Sequence, residues 1–135
     1  MGARSKARKR ALDVLYASEM RGESANDALD RLITEGEAPN NAYTVTIVRG
    51  VVEHQVEIDD LLSSFAEGWT LDRMPAVDRN VLRIGVWELM HAEDVPDTVA
   101  VSEAIALVRD LSTDDSPPFV NGILGAIQRH KTAPA

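Results

Sequence analysis

The sequence predicts an all-α protein, six to seven helices packed as a helical bundle. Three observations predict it. Apolar residues recur at three- and four-residue spacing along most of the chain, and no stretch shows the alternation of a half-buried strand. Glycine and proline punctuate the pattern with short connections, which favours antiparallel neighbours. The 135 residues are 44% hydrophobic, enough for one domain with a real core.

The first helix spans residues 5–21, with Leu12, Leu15, Tyr16 and Met20 in phase and Gly22 as its stop. Ser24 caps a second, short helix whose apolar face includes Ala28, Leu29, Leu32 and Ile33. Gly36 to Asn41, containing Pro39, is a loop. The third helix is the clearest, because Tyr43, Ile47, Val51, His54, Ile58, Leu61 and Phe65 step by three or four throughout. Gly68 ends it, and Trp69 to Met74 is a connector. Pro75 then occupies a first helical turn, where a missing N–H costs nothing. The helix it opens is apolar on nearly every side, from Val77 through Val81, Leu82, Ile84, Val86 and Trp87 to Met90, so it is buried between neighbours.

Asp94-Val95-Pro96-Asp97 breaks that helix, and another follows from Thr98 to Leu111. Ser116 caps the last one, with Pro117 and Pro118 in its first turn and Val120, Ile123, Leu124 and Ile127 facing inward. Asn121-Gly122 falls inside this helical spacing and reads as helix with a close contact. The chain reads as a single domain over residues 1–135, loose at 1–4 and 131–135.

Charge is unevenly placed. The whole chain carries −8. Residues 1–10 hold Arg4, Lys6, Arg8, Lys9 and Arg10, five of the 14 basic residues, and no acid. The remainder has 9 basic against 22 acidic residues, a net of −13. A basic block on an acidic body is an anion-binding patch, for which RNA is the obvious anion, or a solubilising tail. Arg4, Arg8 and Lys9 fall near one face of the first helix, while Lys6 and Arg10 cover another. Readers of RNA add aromatic side chains on which an unstacked base can rest. Tyr16 and Phe119 stand at helix edges and are the two candidates. Tyr16 equally suits core packing with its hydroxyl in solvent, and Phe119 suits a hydrophobic staple. Trp69 and Trp87 read as core or loop anchors.

Catalytic readings find little. There is no cysteine, which excludes disulfides, thiolate metal sites and cysteine nucleophiles and suits a reducing cytoplasm. No glycine-rich phosphate loop, no GxSxG and no nucleophile–base pair appears, so no cofactor is expected. Glu88 and His91 form one ExxH, but a di-iron bundle needs a second copy, so no metal is expected either. His54, on the apolar stripe, reads as a satisfied core histidine. Asp78, Arg79 and Arg83 sit at the start of the buried helix and must face outward or pair. Apolar runs are interrupted every few residues, so no membrane span is available, and Asp13 and Glu19 interrupt what would be a signal peptide's apolar region.

The order of these blocks resembles the NusB family. The resemblance rests on Arg8-Lys9-Arg10-Ala11-Leu12-Asp13-Val14-Leu15-Tyr16, on Asp78-Arg79-Asn80-Val81-Leu82-Arg83-Ile84 with Trp87-Glu88-Leu89, and on Asp94-Val95-Pro96. It continues through Ser102-Glu103-Ala104-Ile105-Ala106-Leu107-Val108 to Asp115-Ser116-Pro117-Pro118-Phe119-Val120-Asn121-Gly122-Ile123-Leu124. Trp69-Thr70-Leu71-Asp72-Arg73 is similar to the actinobacterial branch. The resemblance implies two small antiparallel helical bundles sharing the long third helix. It implies a non-catalytic transcription antitermination factor that binds boxA RNA with ribosomal protein NusE and joins the RNA polymerase antitermination complex on ribosomal RNA operons. Arg4, Lys6, Arg8, Lys9 and Arg10 would contact RNA phosphates, with Tyr16 and Phe119 at or beside the RNA surface, Asp115 ordering it, and Asp78 docking NusE. The double proline before Phe119 departs from branches with polar or basic residues there.

The resemblance leaves a homodimer open. Two other readings stand: the NusB-like domain of a ribosomal RNA methyltransferase, and a protein scaffold that does not bind RNA. The chain ends at Ala135 with no room for a cofactor-binding sheet, which disfavours the methyltransferase.

Overall fold

The computed structural model describes residues 2–36 and 42–132, so most of the expected loop at Gly36 to Asn41, Pro39 included, lies outside the described residues. The described residues hold seven α-helices and no strand. They fall into two compact units, Met1–Glu53 and His54–Ala135. No helix among them is long and apolar enough to cross a membrane.

The first unit contains α1 (Ala3–Arg21), α2 (Ala25–Thr34) and α3 (Ala42–Glu53), each packed on the other two. Gly22 ends α1 at φ 68°, where a side chain would be strained, and the N–H of Glu23 closes the turn onto the Ser18 carbonyl. The Ser24 hydroxyl then caps α2 by accepting from the Asp27 N–H at 3.1 Å. Arg31 grips Glu23 with two bonds of 2.6 and 2.9 Å, and this hydrogen bonding, with the guanidinium charge behind it, holds the Glu23 carboxyl below its ordinary value.

The buried face of α1 differs from the expected stripe. Ala7, Arg8, Ala11, Leu12, Val14, Leu15 and Ser18 are buried, while Tyr16 and Met20 are exposed. Small residues let α3 approach closely, and the Thr44 hydroxyl donates to the Ala7 carbonyl at 3.0 Å. Close approach therefore decided the phase of α1, rather than side-chain size.

The long third helix is two helices. α3 ends at Glu53 and α4 (Gln55–Phe65) begins after His54, which takes φ −108° and ψ 17°. No glycine or proline stands between Val52 and Val56 to announce the break. Ile47, Val51 and Ile58 of the expected stripe are buried, but beyond the break the buried positions are Leu62 and Ala66, with Leu61 and Phe65 only half-buried.

In the second unit α5 (Ala76–His91) packs against α4, α6 (Asp97–Leu111) and α7 (Ser116–Thr132). Its encirclement is why its apolar residues point every way. Each fully buried leucine or isoleucine there contributes roughly 1.5–3 kcal/mol. Gly85 admits α7: a Cβ at this position would stand 2.7 Å from Leu124 Cδ1. The close contact expected at Gly122 is absent, as nothing lies within 4 Å of where its Cβ would be. α7 does continue as helix through Asn121-Gly122 and on to Thr132, and Lys131 donates to the Leu89 carbonyl and to Asp97.

The charges at the start of α5 pair inward. Arg79 donates to the carbonyls of Leu71 and Met74 at 2.7 and 2.9 Å, which pins a short 3₁₀ turn (Leu71–Arg73) ahead of the helix. Arg83 meets Asp59 of α4 through two bonds of 2.9 and 3.1 Å. Pro75 and Pro96 sit at the N-caps of α5 and α6, and Ser116 is the first residue inside α7, each within one position of the expected boundary.

Candidate nucleic-acid interface

In the first unit the basic start of α1 divides by exposure. Lys6 and Arg10 are exposed, and neither side chain has an ion pair or hydrogen bond among the described residues. Lys9 is half-exposed and bonds Asp13 one turn on, at 2.8 Å. Arg4 lies over the Tyr43 ring, 4.2 Å from its centroid. Arg8 is only 3% exposed, with its guanidinium 5.7 Å from the same centroid. Tyr43 of α3 thus organises two of the five cations from below. No acid stands in the first turn of α1 and no side chain caps it, so the helix dipole adds to the positive potential. Tyr16 is 39% exposed on this helix, open enough to present its ring.

In the second unit the turn between α6 and α7 is built on Asp78. This carboxylate is 2% exposed and accepts from Ser112 at 2.6 Å and from Ser116 at 2.8 Å. Ser116 in turn accepts from the Thr113 N–H at 3.3 Å. The Asp78 carboxylate is therefore engaged inside the protein, by the turn that joins α6 to α7. Above it, Phe119 meets Trp69 edge to face, with centroids 5.8 Å apart. Trp69 is itself half-exposed. The two rings, with Pro75, Asp78, Thr113, Asp115 and Ser116, line an open cleft of about 200 Å³. Asp115 is exposed at its rim, and its carbonyl accepts from the Phe119 N–H at 3.3 Å.

The structure thus brings Phe119, Asp115 and Asp78 to one cleft, and sets Arg4, Lys6, Arg8, Lys9, Arg10 and Tyr16 on one helix. Sequence reasoning missed Trp69 as a partner of Phe119 and Tyr43 as the support under Arg4 and Arg8. An exposed tryptophan after a glycine stop was the available signal for the first. Nothing in the spacing announced the second, since Tyr43 reads as one more stripe residue. The ExxH is not a unit: Glu88 is buried, while His91 turns instead to His54 and Glu57.

Two helical units, one with a cationic helix start and the other with an aromatic cleft, define an all-helical binding protein. The chain belongs to the NusB family, whose sequence profile matches residues 5–129. It is 75% identical, over 131 residues and 97% of each chain, to a transcription antitermination protein NusB from a Nocardioides species. Among solved structures it is similar to T. maritima NusB, with TM-score 0.84 and 34% identity over 95% of this chain and 92% of that one. It also matches a chain of the antitermination factors NusB and NusE in complex with double-stranded RNA, with TM-score 0.81 and 30% identity over 94% of this chain and 96% of that one.

Proposed function

We propose that this protein is a transcription antitermination factor that binds boxA RNA together with ribosomal protein NusE, in the cytoplasm, as a non-catalytic adaptor on ribosomal RNA operons. The observation that carries the reading is the exposed cation pair Lys6 and Arg10 at the start of α1, on a chain of net charge −8. A local cationic surface on an acidic body attracts phosphates there and repels them elsewhere, so it positions RNA as well as attracting it. Lys6 and Arg10 contact phosphates directly, Arg4 and Lys9 contribute from the same turns, and Arg8 acts by holding Tyr43. Tyr16 and the Trp69–Phe119 cleft receive unstacked bases. Asp78 serves NusE docking from beneath, by fixing the turn that carries Ser112 and Ser116.

Four phosphate contacts on a single strand give a log–log salt slope of about −3, which is modest affinity. A partner that contacts the same RNA raises the overall affinity without any new contact in this chain. The test is a gel-shift titration of boxA RNA, with and without cognate NusE, at two salt concentrations. Binding that strengthens with NusE and weakens with salt is the expected result. Absence of binding in every condition overturns the proposal and favours a protein scaffold.

A further inference from the structure

The break between α3 and α4 places a histidine where the sequence pattern called for an uninterrupted helix, and the residues it meets are metal-ligand types. His54 lies at the N-cap of α4, Glu57 in its first turn, and His91 is the last residue of α5. One carboxylate oxygen, Glu57 Oε2, stands 3.5 Å from His54 Nδ1 and 3.3 Å from His91 Nε2. All three donor atoms lie within 4.8 Å of one another. The imidazoles are stacked, with centroids 3.7 Å apart and planes at 15°.

We propose that His54, Glu57 and His91 form a binding site for a divalent transition-metal ion, of which Zn²⁺ is the best-matched. Bonds of about 2.1 Å to a tetrahedral ion set neighbouring donor atoms about 3.4 Å apart. Both carboxylate–imidazole separations match that edge. The donor set is two nitrogens and one carboxylate oxygen, which suits Zn²⁺ and excludes the all-oxygen preference of Mg²⁺ and Ca²⁺. The ligands come from the ends of two helices, so the ion would add a second clip between α4 and α5, which the Arg83–Asp59 pair already joins. The side chains are 30%, 45% and 28% exposed, which gives an ion access and leaves a fourth position for water. A metal bond lies in the plane of the imidazole ring, so binding must open the stack by rotating the rings apart, and that exposure permits it.

The experiment uses the whole 135-residue chain without a histidine tag, titrated with Zn²⁺ by calorimetry and with Co²⁺ by visible absorption. One ion per chain, intense tetrahedral Co²⁺ bands, displacement of Co²⁺ by Zn²⁺ and shifted His54 and His91 ring resonances are expected. His91→Ala and Glu57→Gln should each weaken binding at least about tenfold, since even supporting residues around metal sites are worth that much. Helix content by circular dichroism should be unchanged, and Glu57→Gln serves if His91→Ala fails to fold. No saturable binding by the parent overturns the proposal, as does undiminished binding by either folded variant. RNA affinity plays no part in these readouts, so the site stands or falls independently of the antitermination reading.

Discussion

Replacing Asp78 with alanine tests whether the carboxylate beneath the α6–α7 turn holds the second unit together. Asp78→Ala removes the acceptor of two hydroxyl groups, at 2.6 and 2.8 Å. Hydrogen bonds to a charged group contribute about 1.5–3 kcal/mol each. Two effects reduce the sum. Ser112 is half-exposed and can turn to water, and Ser116 keeps Thr113 and Ser112 hydroxyls within 2.9 and 3.0 Å. The expected cost is therefore about 2–4 kcal/mol, or a fall in Tm of about 10 °C for a chain of this size. Asp78→Asn keeps one acceptor oxygen and should cost roughly half as much. Urea denaturation followed by circular dichroism measures both. A loss below about 0.5 kcal/mol for Asp78→Ala would refute the internal role, because ordinary surface changes reach that size. Partner titration adds a second check: NusE affinity should track the stability of the turn. Loss of NusE binding in a fully stable Asp78→Asn would instead mean direct contact.

Lys6→Ala and Arg10→Ala should each weaken RNA binding evenly across sequences and flatten the log–log salt slope by about 0.7, read by titration at several salt concentrations. Phe119→Asp should lower RNA affinity with helix content retained; loss of helix by circular dichroism would show that the ring only packs. Gly85→Ala forces a Cβ to 2.7 Å from the Leu124 Cδ1 methyl, a strain offset by about 1 kcal/mol of helix propensity, and should leave a net cost of at most about 2 kcal/mol in urea denaturation. Glu23, whose carboxyl is depressed by Arg31, stabilises the fold fully above its ordinary value of 4.5, and this contribution is lost as pH falls through its lower folded value. Glu23→Gln should therefore flatten the stability–pH profile in that acid range.

The helical fold was legible because its cause is local. The three- and four-residue steps of Ile47, Val51, Ile58 and the next turns are properties of the chain itself, as are the stops at Gly22 and Gly68 and the entries at Pro75 and Pro96. The same holds for the block of five cations, since charge can be counted without coordinates. What spacing alone could not resolve depended on neighbours distant in sequence. The burial of the Arg8 side chain near the Tyr43 ring, 35 positions on, is one such outcome. Asp78 reads as an acid that must face outward or pair, and only the fold shows Ser112 and Ser116 turned toward it.

By itself, the sequence determined that this protein is helical, where most helices start and stop, and which end carries positive charge, because backbone propensity and periodicity act over a few residues. Only the tertiary structure decided which cations stay exposed, that Trp69 joins Phe119 at a cleft, and that His54 interrupts a helix to meet Glu57 and His91. Those outcomes depend on close packing between segments far apart in the chain, and packing is settled by all the neighbours at once.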